Sequence, residues 1–470
     1  MMTFDVAIIG AGPAGMQAAC DLRARDLSVV VLDEQPAPGG QIWRGVERNC
    51  QPGSHLAQGL GAEYRQGADV ARSFRASGAD YRPLSRVWQI EESGKEATTQ
   101  SWQVFVTREG QAEVIEARRV LLAIGAQERP VPFPGWTRPG VMTVGAAQIL
   151  LKSGGLLPEG PVWISGAGPL PLLYAHQLRK LGGQIEGFLD TAPRDTLRRG
   201  LPHLNGALRD WKSLVKGLGW QAGIRLSGLR RETGVTQLRA EGGERLERIR
   251  WQTPEGEKSA AAGVLLIHEG LVPSVHPTLS LQCEHAWSDT QKSLRPVLDA
   301  WGETTRSGLF VAGDAAGIDG AKAALAKGTL AAIGIARSLG VLEDTKARQA
   351  RAAGDRALSK ARAARPLLDS LYPAPEGKIS DDTIVCRCEE LTAGQIRAAA
   401  RRGAADPNRV KAETRAGMGP CQGRQCGYTV ARLIAEAHDL PRAEVGFHNI
   451  RPPLKPVTLG ELASLGKAKT

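Results

Sequence analysis

Val6-Ala7-Ile8-Ile9-Gly10-Ala11-Gly12-Pro13-Ala14-Gly15 decides how this chain begins. Four apolar residues ending at Ile9 read as a strand buried on both faces, as in a parallel sheet. An alanine-rich helix, Met16 to Arg25, and a second apolar run, Val29 to Leu32, come next. Strand, glycine loop, helix and strand form a βαβ unit with the dinucleotide fingerprint. Gly10 allows the tight turn, Gly12 lets a pyrophosphate approach the backbone, and Gly15 lets helix and strand pack closely. Pro13 and Ala14 lie between, where the helix N-terminus favours phosphate charge. Asp33 stands 23 residues after Gly10 and is followed by Glu34; an acid there can accept from a ribose hydroxyl. A lone glycine motif can be a bare turn. Strand, helix and acid together argue for a ligand.

Three later segments favour FAD over NAD. Gly39-Gly40-Gln41 follows the second strand closely. Val120 to Ala123 is an apolar strand that closes on Ile124-Gly125-Ala126. Gly308 to Ala312 is a strand ending in Gly313-Asp314. These segments resemble the glutathione-reductase-type flavoproteins, whose FAD domain is split by an inserted second domain. The resemblance implies that Asp314 hydrogen-bonds the ribityl chain. It extends the FAD residues to Gly40, Gln41, Ala123, Gly125, Gly313 and Asp314. That family more often has Glu where Asp33 stands.

Pro161 to Ser165 leads into a second loop, Gly166-Ala167-Gly168-Pro169-Leu170-Pro171, with a further strand ending at Asp190. This occupies the NAD(P)H position of the reductase family. Pro171 replaces the third glycine, removing an N–H and adding bulk where strand and helix should touch. A working NAD(P)H site and a retained scaffold therefore stand level. Disulfide reductases are excluded on residues: Cys50 is alone after the first loop, and no cysteine follows until Cys283. Cys20 reads as a small helix hydrophobe and Cys50 as an inert thiol. The eight histidines show no triad or HxxxH spacing, and no acid–base pair for substrate chemistry stands out.

Near the end, Cys386-Arg387-Cys388 and Cys421 to Cys426 are two close pairs separated by 32 residues. Four thiolates suit an iron–sulfur cluster or zinc. A one-residue gap with a four-residue gap fits zinc knuckles less well, and glycines around the second pair free backbone N–H groups for sulfur. Thr392 reads as an N-cap, with helices through Arg401 and over Tyr428 to His438. The module resembles the bacterioferritin-associated-ferredoxin-like [2Fe-2S] domain, which implies that Cys386, Cys388, Cys421 and Cys426 are its ligands.

The chain has 470 residues and a net charge of +11. That length suits about three domains. Lys346 to Arg365 holds seven Lys/Arg against Asp355 alone. Without interleaved aromatics it reads as a solvated helix rather than a nucleic-acid surface, leaving contact with anionic lipid or a partner open. No run of 18 apolar residues occurs, and Met1-Met2-Thr3-Phe4-Asp5 lacks a basic signal-peptide region. With free cysteines, this points to the cytoplasm, with contact at the inner face of the membrane left open.

The expected fold class is α/β. It has two Rossmann-like, doubly wound, three-layer nucleotide-binding domains, one inserted in the other, and a small, mainly helical C-terminal iron–sulfur domain. The expected divisions are 1–130 (first FAD part), 131–265 (degenerate NAD(P)-binding-like insert), 266–340 (FAD return), 341–375 (basic linker), 376–440 ([2Fe-2S] domain) and 441–470 (tail).

That order is similar to the A (α) subunits of the opine oxidases, D-hydroxyproline dehydrogenase and hydrogen cyanide synthase. The local carriers are Gly39 to Ile42, Ile124 to Pro130, Gly187-Phe188-Leu189-Asp190-Thr191 and the four cysteines. The resemblance implies an electron-transfer arm beside a glycine/sarcosine-oxidase-like flavoprotein B (β) subunit that oxidises a C–N bond. It also implies, from relatives, FMN at a subunit interface and a small ferredoxin-like subunit. Two other readings remain: an NAD(P)H-dependent flavin reductase with a ferredoxin-like tail, and a flavin-free scaffold.

Overall fold

The computed structural model describes residues 2–94, 101–403 and 405–467. Met1 and residues 468–470 of the expected tail lie outside the described residues. The fold class is the one expected from the sequence.

The first sheet runs in the order Asp80–Arg82, Val29–Leu32, Met2–Ile9, Gln111–Leu122, Ser101–Arg108, Arg86–Ser93. Its first four strands are parallel, and the last two form an antiparallel meander with Gln111–Leu122. Leu309–Val311 returns late in the chain and lies parallel to the end of Gln111–Leu122. The register fixes where the loops emerge. Ile9 is level with Leu32 and with Leu122, and Leu122 with Val311. Gly10, Asp33, Ala123 and Ala312 therefore leave the sheet at one edge, where open α/β sheets bind ligands.

Helices Pro13–Arg23 and Ala321–Ser338 cross on one face of this sheet. Their contact is backbone-close: a Cβ on Gly328 would come 2.4 Å from the Ala14 carbonyl oxygen. The second sheet is all parallel, in the order Arg230–Thr233, Gly187–Asp190, Val162–Gly166, Val264–His268, Val141–Thr143. Between the two sheets the chain crosses once in each direction, and the crossings Ala126–Glu128 and Leu271–Pro273 pair antiparallel.

The Lys346 to Arg365 stretch is helical over Asp344–Ala361. It is not solvated all round, because Ala347 and Gly354 are buried. Three later helices, Ala393–Arg402, Pro407–Thr414 and Gly427–His438, enclose their own apolar core. Thr392 caps the first of them in a capping box with Gln395. The tail then returns to the first sheet's meander. Leu454 N–H donates to the Trp88 carbonyl at 2.6 Å, and Glu461 pairs with Arg86 at 2.8 Å.

Candidate cofactor sites

At the first loop, Gly10 has φ 104°, and a Cβ there would meet the Ala123 carbonyl oxygen at 2.5 Å. A Cβ on Gly15 would meet the Gly10 carbonyl oxygen at 1.9 Å. Helix Pro13–Arg23 starts from Gly12 without a side-chain cap, with Ala14 and Gly15 buried in its first turn. Its first amides thus have no side-chain acceptor, the condition that suits a phosphate. Gly40 crosses directly over Gly12, where an added Cβ would stand 3.0 Å from the Gly12 Cα. Asp33 is buried; its Oδ2 accepts from Ala11 N at 2.5 Å and its Oδ1 from Gln35 N at 2.7 Å. Burial raises its pKa more than these two amides lower it.

Glu34 is placed differently from Asp33, in an ion pair with Lys455 of the tail at 3.0 Å. Gln41 is held from the insert: Lys152 Nζ donates to the Gln41 carbonyl at 3.1 Å and to that of Ile42 at 2.9 Å. Asp314 Oδ1 accepts from the amides of Asp319 and Gly320 at 2.9 and 3.0 Å, shaping the entry to helix Ala321–Ser338. Gly125, Gly317 and Gly320 have nothing within 4 Å of where a Cβ would be. The sheet edge thus opens onto free space bounded by Gly10 to Gly15, Gly40, Gly125 and the Gly313-Asp314 loop. A dinucleotide fits such a cradle, because its backbone approaches and uncapped amides match a pyrophosphate.

The second loop has the turn and the acid, but the acid is differently engaged. Gly166 is pressed against His268, where a Cβ would meet the carbonyl oxygen at 2.0 Å. Pro169 opens helix Pro169–Lys180, and Pro171 is buried within its first turn. Asp190 is already engaged, by Arg231 at 2.7 Å and by Ala192 N at 3.0 Å. Arg231 comes from a strand 41 residues away, so no local pattern announces it. Glu269 accepts from Thr191 Oγ1 at 3.2 Å, and burial pushes its pKa up to about 7.

The cysteines stand as two pairs with no disulfide. Cys386 lies beside Cys426, and Cys388 beside Cys421. The Cys426 thiol pulls Cys386 down to about 6, aided by the amides of Gly417, Glu389 and Cys388. The same contact, with burial, pushes Cys426 well up. Among the described residues no group of three or more His, Cys, Asp or Glu is placed to hold a metal ion. Four thiols in two pairs, with backbone amides at Cys386 and Cys388, fit the donor chemistry of a two-iron cluster, which amides on sulfur favour over zinc. Gly419 is required by the packing, since a Cβ there would lie 2.2 Å from the Cys388 Cβ.

Both arms of this module pack against earlier parts of the chain, the later cysteine loop on the flavin-type cleft and the first arm on Trp136. Gln127 Nε2 donates to the Arg424 carbonyl at 2.8 Å, and His276 Nε2 lies 3.1 Å from the Gln422 carbonyl. Trp136 Nε1 donates to the Ile384 carbonyl at 2.6 Å. None of these contacts was legible from spacing. Cys20 packs half-buried against the core, and Cys50 caps the short helix Val46–Asn49. No helix among the described residues is long and apolar enough to cross a membrane.

Two family models match the chain: Pyridine nucleotide-disulphide oxidoreductase over residues 4–328 and BFD-like [2Fe-2S] binding domain over 384–436. The A subunit of opine oxidase from Rhizobium meliloti (strain 1021) is 41% identical, with 99% of each chain covered. Hydrogen cyanide synthase subunit HcnB of Pseudomonas protegens is 32% identical, with 97% of each covered. In fold, the chain is similar to L-proline dehydrogenase from P. horikoshii, at TM-score 0.72 and 20% identity, covering 98% of this chain and 79% of that one.

Proposed function

Because the chain belongs to the family of the opine oxidase A subunits, built on the pyridine nucleotide-disulphide oxidoreductase fold, we propose that it is the electron-transfer subunit of a heteromeric dehydrogenase. The complex oxidises a C–N bond of an amino-acid-like substrate: D-hydroxyproline, an opine, proline or glycine. Substrate binds on a glycine/sarcosine-oxidase-like partner subunit. FMN at the interface and a small ferredoxin-like subunit complete the reading.

Gly10, Gly12, Pro13, Ala14 and Gly15 would receive the pyrophosphate of FAD. Asp33, with Glu34 after it, stands where it would meet the adenosine ribose, and Gly40, Gln41, Ala123, Gly125, Gly313 and Asp314 would line the rest. Cys386, Cys388, Cys421 and Cys426 would hold the cluster. Bound FAD takes up two electrons together, and a [2Fe-2S] cluster passes them on singly. The protein's part is placement.

One observation carries the reading. The Gln127 side chain, two residues past Gly125, bonds the backbone of Arg424 between the two later cysteines. The wall of the flavin-type cleft and the cluster loop are thus in direct contact. Co-expression with a glycine/sarcosine-oxidase-like partner should give dye reduction with one of these substrates, and this chain alone should give none. Full amino-acid oxidation by the isolated chain would refute it. Rapid bleaching of the flavin by NADH would favour the NAD(P)H-dependent flavin reductase. Asp190, already occupied by Arg231, weighs against that outcome.

A further inference from the structure

Apolar side chains exposed one at a time are ordinary; a continuous stripe of them is not. Of the large apolar side chains exposed among the described residues, seven fall between Leu201 and Leu226. Leu201, Leu204, Leu208, Trp211, Val215 and Leu218 follow one another at steps of three or four. That step keeps side chains on one helical face. The segment is helical in short turns up to Asp210, then continuous over Trp211–Leu226.

The opposite side of the segment is already used. Ala207 is buried against Ala364 and Leu367, where Leu214 also packs. Ile224 is buried, and Gln221 donates to Tyr372 at 3.2 Å. The outer side has no such cover: Trp211 is 56% exposed and Leu218 65%.

Arg199 and Lys216 beside the stripe are paired, with Asp195 and Glu63, but four other positive charges are unmatched. Arg198, Arg209, Lys212 and Arg225 form no ion pair or side-chain hydrogen bond among the described residues. The segment's two acids are taken, Asp195 by Arg199 at 2.6 Å and Asp210 by Lys322 at 4.0 Å. A helix with leucines and a tryptophan outward and free cations at its border has the composition of one lying in a lipid headgroup layer. Tryptophan at the border between apolar and charged groups suits that layer as well.

We propose that residues 198–226 dock this protein onto an anionic lipid surface. The leucines and Trp211 enter the headgroup–acyl boundary, and the four cations meet lipid phosphates. A protein partner could match the leucines, but the stripe offers it no acids and four free cations, which a diffuse negative surface satisfies without specific pairing. Docking would bring the electron-transfer chain beside lipid-dissolved acceptors. That consequence rests on the function proposed above; vesicle binding does not.

The test is flotation of the full, flavin-loaded chain with vesicles of phosphatidylcholine alone or with one-third phosphatidylglycerol. Binding is expected only to the anionic vesicles at low salt, and it should weaken as salt rises. Arg209→Ala with Lys212→Ala should lower the partition by roughly 25-fold, at about fivefold per charge. Trp211→Glu with Leu218→Glu should abolish it at every salt concentration. Unchanged flavin absorbance and circular dichroism would show that these surface variants are folded. No binding by the unaltered chain, or equal binding by the Glu variant, would overturn the proposal. So would a Leu218→Cys label that a co-expressed partner shields in lipid-free solution, which would make the stripe a protein interface.

Discussion

Lys327 Nζ stands 2.7 Å from Asp319 Oδ2, both side chains nearly sealed from solvent. The same amine donates to the carbonyls of Gly313 at 3.1 Å and Gly317 at 2.7 Å. One buried cation therefore holds the whole turn that carries Asp314. Arg362, at the end of the basic helix, reaches the same Asp319 oxygen at 2.8 Å. Lys327 and Arg362 hold the Asp319 carboxyl below its usual range against the effect of burial.

Removing one partner of a buried pair leaves the other charge uncompensated. Lys327→Met should cost roughly 3–5 kcal/mol of stability and release flavin. The measurement is flavin content and thermal unfolding, with Arg362→Ala as the milder comparison. A Lys327→Met protein that kept its flavin and melted with the parent would refute this role.

Gly328 is the point where helices Pro13–Arg23 and Ala321–Ser338 touch. A Cβ would fall 2.4 Å from the Ala14 carbonyl oxygen, a backbone atom that cannot swing aside. Gly328→Ala should force the helices apart at a cost of about 1–3 kcal/mol. It should also displace the first glycine loop. Gly219→Ala, on the exposed side of its helix with nothing within 4 Å, is the control and should be neutral or slightly stabilising. Urea midpoints of the two variants decide the matter.

Lys152 is buried, and burial with the nearby Arg44 charge lowers its pKa to about 7. Between pH 7 and the ordinary lysine value the unfolded chain binds more protons than the folded one, so this residue's contribution to stability rises with pH there and is level below pH 7. Lys152→Met should remove that slope and loosen the loop that its amine ties at Gln41 and Ile42. Melting temperatures of both proteins from pH 7 to 9.5 test it. Parallel curves would mean that Lys152 is charged throughout.

Cys386→Ser should abolish the reddish two-iron absorption and the bound iron while leaving the yellow flavin bands, since the module encloses its own core. Cys20→Ser, on the first helix, should change neither. Loss of flavin together with iron in Cys386→Ser would show that the two centres are not held separately.

The relation of sequence to site differs between residues. Gly15 was legible because its constraint is local, a Cβ there meeting the Gly10 carbonyl; Gly10 was legible from the turn pattern, although the backbone that excludes its Cβ, that of Ala123, is 113 residues away. The cysteines were legible as two couples close in sequence, Cys386 with Cys388 and Cys421 with Cys426, but the fold sets Cys386 beside Cys426 and Cys388 beside Cys421. Glu34 was grouped with Asp33 as a cofactor residue, but its neighbour Lys455 lies at the far end of the chain. The basic helix read as solvated because its composition says nothing of Leu330, against which Gly354 packs.

Sequence alone determined the strand–loop–helix order, the glycines that such turns require and the four cysteines, because these rest on recurring local patterns or on side-chain chemistry; which thiol meets which was left to the fold. Only tertiary structure decided that Arg231 neutralises Asp190, that Lys327 and Lys152 clamp the flavin-type loops, and that Gln127 meets Arg424. Those partners are separated by stretches of chain that hold no signal of their meeting. Parallel strand register and helix crossings brought them together.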